Sequence, residues 1–250
     1  MEPIITVENM TAQYGEHVVL DRLNFEINPG EIFVILGGSG CGKSTLLKHM
    51  IGLYKPASGD IRIGDVSMVN AEGAERDALI RRFGVMYQSG ALFGSMTLLE
   101  NICLPLEEFT SLEKEARELT ACMKLSLVGL SEFAHHMPSE ISGGMKKRAA
   151  IARAMALDPE ILFLDEPSAG LDPVTADELD DLIIQLSRSL NITFVIVTHE
   201  LPSIYKVADR VIMLDARTQK IVAEGDPEKL KENHEDQWVR NFFNRQGAGA

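Results

Sequence analysis

Nine consecutive residues, Gly37-Gly38-Ser39-Gly40-Cys41-Gly42-Lys43-Ser44-Thr45, carry the most specific chemistry in the chain. They follow an apolar run, Ile32–Leu36, and lead into an apolar-periodic segment from Leu46 to Ile51. Strand, glycine loop, helix is the context in which G-x(4)-G-K-[ST] binds phosphate. Glycines let successive backbone N–H groups converge on an anion, and the helix N-terminus adds its dipole. Lys43 is then expected to reach the β- and γ-phosphates of a nucleoside triphosphate, and Ser44 to hold Mg²⁺. Cys41 reads first as a small residue that fits a tight loop. The alternative is a thiol activated by the neighbouring helix N-terminus, which an alkylating reagent blocks and nucleotide protects. A second group, Asp165-Glu166, ends the apolar run Ile161–Leu164. An acid at the end of a buried strand is costly unless it meets a cation, and Mg²⁺ is one. Asp165 is expected to hold the metal through water, and Glu166 to orient or deprotonate the attacking water. The third group, Ser142-Gly143-Gly144, opens a helix with Met145, Ala149, Ala152 and Ala156 on one face. It reads as a second anion site, and because the chain already has a phosphate loop, as one that completes a partner's nucleotide pocket.

Positioning these groups takes strands alternating with helices, and the patterning supplies them. Ile32–Leu36, Ile161–Leu164 and Phe194–Val197 are apolar on both faces, as buried central strands of an α/β fold are. The first 30 residues and Gly59–Val66 alternate instead, as in a half-exposed antiparallel sheet. Leu179, Leu182, Ile183, Leu186 and Leu190 form one helical stripe, with Asp172 as N-cap and Pro173 at the first position. Between about Ser89 and Asp158 strand signals vanish, and Thr110-Ser-Leu-Glu113 reads as a capping box opening a helix through about Lys124. The expected layout is one domain. Residues 1–88 and 159–225 form an α/β core with an antiparallel β subdomain, 89–158 an inserted helical subdomain, and 226–250 a C-terminal helical tail. Trp238, Phe242 and Phe243 of that tail are expected to pack on their own domain, and the terminal Gly247–Ala250 to fray.

The 250 residues carry 24 Lys+Arg against 37 Asp+Glu, a net charge of −13. That balance disfavours nucleic acid or an anionic bilayer as a direct partner. Three cysteines without a CxxC form neither a disulfide framework nor a zinc site. No basic-then-apolar leader opens the chain, and no apolar run approaches the roughly 20 residues of a membrane helix. A soluble protein is expected. Ala91–Leu106, with Phe93, Met96, Leu98, Leu99, Ile102 and Leu104, reads mostly as core, with part left to form a groove for a partner helix. Lys146, Lys147, Arg148 and Arg153 read as partners of local acids or nucleotide phosphate, Glu107, Glu108, Glu113, Glu115 and Glu118 as a solvated face, and His135-His136 as a loop pair.

The Ser142-Gly143-Gly144 helix start, set between the glycine loop and Asp165, resembles the signature of the ATP-binding cassette (ABC) ATPases, which sandwich two ATP head to tail. The resemblance runs through about Gly225. It implies a P-loop NTPase, RecA-like core with ATP and Mg²⁺ as cofactors. It also implies that Tyr14 stacks on adenine and that Gln88 contacts Mg²⁺ and the attacking water. Asp172, in the loop Ala169–Asp172, would link the two sites, and His199 would contact the γ-phosphate. Met145 stands where the family usually has glutamine, which alters the contact expected at the ribose or partner surface. Tyr87–Phe93, Pro138–Met145 and residues 148–154 are similar to the ATPase of Mla-type, MCE-associated phospholipid transporters. That resemblance implies a homodimer working with two copies of a membrane permease and an MCE-domain protein, at the cytoplasmic face of the bacterial inner membrane, driving phospholipid transport. The alternative is a soluble ABC ATPase in a non-transport role such as iron–sulfur cluster assembly. A small P-loop kinase is disfavoured by Ser142-Gly-Gly and by the Glu166–His199 pair, since a kinase must keep water off its γ-phosphate.

Overall fold

The alternation of the first 30 residues builds antiparallel pairing in the computed structural model, which describes residues 2–233 and 235–244. β1 (Ile5–Tyr14) and β2 (His17–Ile27) form a ribbon, followed by β3 (Ile32–Gly37), α1 (Lys43–Met50), β4 (Ser58–Ile63) and the short β5 (Val66–Ser67). β4 adds to the other edge of β1, giving the sheet order β2-β1-β4-β5. Strict alternation breaks within β1: Ile5, Val7, Met10 and Ala12 are its buried positions, because an irregularity between Val7 and Met10 shifts the phase. Asn9 sits there at φ 48°, and its N–H donates to Asn24 Oδ1 at 2.8 Å.

The chain divides into two compact units, residues up to 70 together with those from 195 onward, and Ala71–Phe194. The second unit contains α2 (Gly73–Arg81), β6 (Phe83–Met86), α3 (Leu98–Phe109), α4 (Lys114–Leu127), α5 (Gly143–Ala154), β7 (Ile161–Asp165) and α6 (Pro173–Leu190). β6 and β7 run parallel, Phe83 opposite Ile161 and Met86 opposite Leu164. Gly84 is required there, because a Cβ would stand 1.9 Å from the carbonyl oxygen of Ala154 at the end of α5. Asp172 caps α6 as its position indicates, and Pro173 opens the helix. Leu179, Leu182, Ile183 and Leu186 are buried, whereas Leu190, at the helix end, is 44% exposed.

The start of α4 corrects the sequence reading. Its N-cap is Glu113, with no side-chain cap bond, and the helix runs to Leu127. The Thr110 hydroxyl instead donates back to the Leu106 carbonyl at 2.5 Å and closes α3. A capping box does form one helix earlier, where Thr97 and Glu100 satisfy each other's backbone N–H groups.

β8 (Thr193–Val197), buried along its length, carries the chain into the first unit. There follow α7 (Leu201–Val207), β9 (Arg210–Asp215), β10 (Lys220–Gly225), α8 (Pro227–Asn233) and α9 (Gln237–Phe243). β9 pairs parallel with β3, Val34 opposite Val211, and antiparallel with β10. The tail packs within its own unit, burying Leu230 of α8 and Val239 and Phe243 of α9. The Tyr205 hydroxyl donates to the Phe243 carbonyl at 2.7 Å, and the Arg217 guanidinium lies 4.9 Å over the half-buried Trp238. Gly247–Ala250 lie outside the described residues.

One buried amide organises the irregular stretch before α3. Asn101, fully buried, accepts from the Phe93 N–H at 2.8 Å and donates to the carbonyls of Phe93, Met96 and Thr97 at 3.1, 3.1 and 2.9 Å. Replacing it by Ala strands those backbone groups away from water. Asn101→Ala is expected to cost about 2–3 kcal/mol, read as a lower urea midpoint at unchanged slope.

Candidate functional site

Strand β3 delivers the chain to Gly37, where φ is 149° and a Cβ would lie 2.4 Å from the Leu214 carbonyl oxygen and 2.6 Å from Cys41 Sγ. No other residue fits that turn. Beyond it Gly38, Ser39 and Gly40 are exposed. The Lys43 ammonium donates to the carbonyls of Gly37 and Gly38 at 3.0 and 3.1 Å and closes the loop on itself. Gly40, Gly42, Lys43, Ser44 and Thr45, with Val19, line a cavity of about 190 Å³ that has no carboxylate on its wall. Backbone amides, one ammonium and two hydroxyls suit a phosphate, and the exposed Ser44 hydroxyl is a hard donor suited to Mg²⁺.

Within α1, His49 is 3% exposed and has Nδ1 2.8 Å from the carbonyl of Thr45 one turn earlier. Burial pushes the His49 pKa down, so the neutral ring with Nδ1–H donating is the form the interior favours. Its ring lies 5.9 Å from Tyr54, which meets Tyr14 edge-to-face at 6.1 Å. Tyr14, 48% exposed, is therefore an open ring braced by a second one, as a stacking platform needs. Tyr54 carries no motif that marks it in the residue pattern. His199 is exposed just after β8, whose end is tied down by the Thr198 N–H donating to the Ile35 carbonyl at 3.3 Å. The activated-thiol reading of Cys41 fails. The side chain is 2% exposed, and burial raises its pKa against the opposing pull of Lys43.

In the second unit, β7 ends at the half-buried Asp165, and the next residue, Glu166, stands at φ 48°. Left-handed backbone at a residue with a side chain costs about 1–2 kcal/mol and persists where neighbours hold it. The Glu166 carbonyl accepts from Lys147 Nζ at 3.2 Å and from the Ala169 N–H at 3.3 Å. The same ammonium donates to the carbonyl of Gln88, which is exposed in the loop after β6. Arg153 holds the next stretch of that loop, donating to the carbonyls of Ala91 and Gly90 at 2.7 and 3.1 Å. The basic run thus splits by role: Arg148 pairs with Glu178 at 2.9 Å, as expected, while Lys147 and Arg153 turn to backbone carbonyls.

Ser142 is the N-cap of α5, its hydroxyl accepting the Met145 N–H at 3.3 Å, and the first-turn amides of Gly143 and Gly144 open at the helix end. Met145 joins Leu130, Phe133, Arg148 and Thr175 around a concavity of about 270 Å³. The Asp172 carboxylate accepts from the N–H groups of Val174 and Thr175, each at 3.1 Å, and from the Thr175 hydroxyl at 2.6 Å. Those Thr175 bonds hold its pKa down. The first unit therefore gathers Tyr14, residues 37–45 and His199. The second carries Gln88, Ser142–Gly144, Asp165, Glu166 and Asp172, with Gln88 and Glu166 joined through Lys147, a link the sequence did not disclose.

A glycine loop with its lysine, a strand-end Asp-Glu and a Ser-Gly-Gly helix start define a nucleotide-binding cassette. The family model described as ABC transporter matches residues 20–169, and the chain belongs to that family as one of its ATPases. It is 38% identical over 246 residues to the intermembrane phospholipid transport system ATP-binding protein MlaF of Haemophilus influenzae, spanning 98% of this chain and 92% of that one. Identity to MlaF of Escherichia coli K12 is 36%, over 96% and 88% of the two chains. The probable ribonucleotide transport ATP-binding protein mkl of Mycobacterium leprae is 39% identical, over 98% of this chain and 70% of its own length. Among solved structures, the dimeric ATP-binding cassette MJ0796, in a post-hydrolysis state with ADP and Pi, matches with a TM-score of 0.79 at 31% identity, covering 89% of this chain and 98% of that one. The ABC transporter component cbiO1 of Clostridium perfringens matches with a TM-score of 0.83 at 28% identity, covering 92% and 90%. The fold is that of an ABC nucleotide-binding domain.

Burial and raised pKa predict slow chemistry at Cys41. In the native protein the exposed Cys122 is expected to alkylate at least about tenfold faster than Cys41 near neutral pH. Peptide mass spectrometry after timed labelling reads both rates, and denaturant should bring them together.

Proposed function

We propose that this chain is the ATP-hydrolysing subunit of an ABC transporter that moves phospholipid across a bacterial envelope. It works as a homodimer at the cytoplasmic face of the inner membrane, with two copies of a permease and an MCE-domain protein. The observation that carries the homodimer is that both halves of a composite nucleotide pocket occur in one sequence: the exposed phosphate loop and the exposed Ser142-Gly143 helix start. Near full-length similarity to MlaF supports the lipid reading over the ribonucleotide one, since mkl extends well beyond this chain.

In the proposed pocket the loop amides and Lys43 bind the phosphates, and Thr45 lines the same cavity. Tyr14 supports the adenine. Ser44, Gln88 and Asp165 hold Mg²⁺, which offsets charge on the phosphates when bound. Glu166 orients the attacking water and takes its proton, while His199 fixes the γ-phosphate. Ser142, Gly143 and Gly144 approach from the partner copy, and Asp172 connects the two sites.

The second unit has an apolar groove of about 540 Å³, lined by Ile80, Phe83, Val85, Phe93, Leu104 and Phe109 among others. Phe93 is 50% exposed there, whereas Leu98, Leu99 and Ile102 are core. This is the proposed seat of a cytoplasmic helix of the permease. Among the described residues no helix is long and apolar enough to cross a membrane, which fits a membrane component on a separate chain.

Glu166→Gln is expected to lower turnover by about 10²–10⁴-fold, and near-normal turnover would remove Glu166 from the role of base. Phe93→Asp is expected to release the permease during co-purification from native membranes in mild detergent, while Leu119→Asp, on the exposed face of α4, leaves it bound. Mass spectrometry of the wild-type preparation should find a small permease, an MCE-domain protein and phospholipid. Recovery of soluble scaffold proteins without a permease would favour the assembly-factor reading instead.

A further inference from the structure

We infer that Lys147 is a positioning residue for hydrolysis, its buried ammonium setting the backbone at Gln88 and at Glu166 from helix α5. The inference rests on the proposed reading of Glu166 as the base. Three observations carry it. Lys147 is 8% exposed, and burying an ammonium is costly, so a residue of similar length without charge would fill the same space more cheaply. Its Nζ donates to carbonyls from two loops, Gln88 at the end of β6 and Glu166 at the end of β7. Glu166 is in the left-handed region, a costly backbone conformation for a residue with a side chain, so a bond to its carbonyl helps hold the backbone from which that side chain projects.

Helix α5 is suited to share this setting with the rest of the site. Its first residues follow Ser142, the proposed contact to the partner's nucleotide, and Lys147 lies little more than one turn inside the helix. Arg153, near the other end, holds Gly90 and Ala91 of the same loop as Gln88. A rotation of α5 that brings Ser142 to a partner copy therefore moves the ammonium that holds Gln88 and Glu166. Lys147 touches neither nucleotide nor water in this scheme and acts through the two residues it aims.

The test is single-turnover hydrolysis of labelled ATP by the full chain, as wild type, Lys147→Met, Glu166→Gln and the double variant. Lys147→Met is expected to slow hydrolysis about 10–100-fold while half-saturating ATP stays within about threefold. On the Glu166→Gln background the same change should add at most about threefold, because one of the two groups it aims is already gone and only Gln88 is left to misplace. Lys147→Arg, which keeps a cation for both carbonyls, should regain most of the rate. Wild-type rates for Lys147→Met overturn the inference, and so does a loss repeated in full on Glu166→Gln. If Lys147→Met melts earlier, the rates are compared well below its melting temperature. A loss that disappears there overturns the inference, and one that remains supports it. Near-normal hydrolysis by Glu166→Gln alone overturns the reading of the base, and the inference with it.

Discussion

A chain with a net charge of −13 repels a polyanion, so a triphosphate site within it must draw its positive field from a small, local source. Backbone amides are that source, and they act only if several point at one spot. Converging them bends the chain more sharply than a residue with a side chain tolerates, hence Gly37 with its Cβ position filled by Leu214 and Cys41. The bend must also be held still. β3 is buried at all six positions, and within α1 the buried His49 braces the first turn through the Thr45 carbonyl. Lys43 bonds to two loop carbonyls, so the chief cation of the site also braces it. Core packing in the first unit thus serves an electrostatic need.

The second unit meets a related constraint with different means. Its candidate catalytic groups sit on loops after short parallel strands, where the backbone leaves regular structure and Glu166 and Ala91 both take φ 48°. Strained positions of this kind need outside support. α5 supplies two buried or half-buried cations whose donors end on main-chain carbonyls. A main-chain carbonyl is a partner that a change of side chain leaves in place. Using charge on backbone fixes loop shape while leaving the Gln88 and Glu166 side chains to the roles proposed for them.

Much of this was legible in the residues because burial on both faces and strict motif spacing leave few alternatives. Ile32–Leu36, Ile161–Leu164 and Phe194–Val197 are strands as read, and Asp172-Pro173 starts α6. The failures have physical causes. Thr97 and Thr110 each stand three residues before a glutamate, but only Thr97 precedes the apolar face that buries a helix, with Leu98, Leu99, Ile102 and Leu106 behind it. Thr110 follows that same helix and its hydroxyl finds the Leu106 carbonyl first. Cys41 was open to two readings because a helix dipole lowers a thiol pKa and desolvation raises it, and only burial decides which prevails. Lys147 and Asn101 were invisible for another reason. Their partners are carbonyls, which every residue has, so no side-chain pattern marks them.

The relatives at 36–39% identity bear names for different transported molecules, although each aligns with nearly all of this chain. Shared sequence of that extent is common to ATP-binding proteins named for different cargoes, so identity at this level does not name the cargo. The groove proposed as the seat of a permease helix has Arg153 as well as Phe93 on its wall. Arg153 is the same side chain that holds Gly90 and Ala91. A helix seated against Phe93 therefore presses on a loop whose far end, at Gln88, is held by Lys147. In the proposed scheme, force from a permease and the setting of the proposed base would meet on one helix, α5, which begins at the proposed contact with the partner's nucleotide. Coupling of this kind needs no long pathway through the domain: it needs one rigid helix with a polar start, two cations along it and a groove at its side.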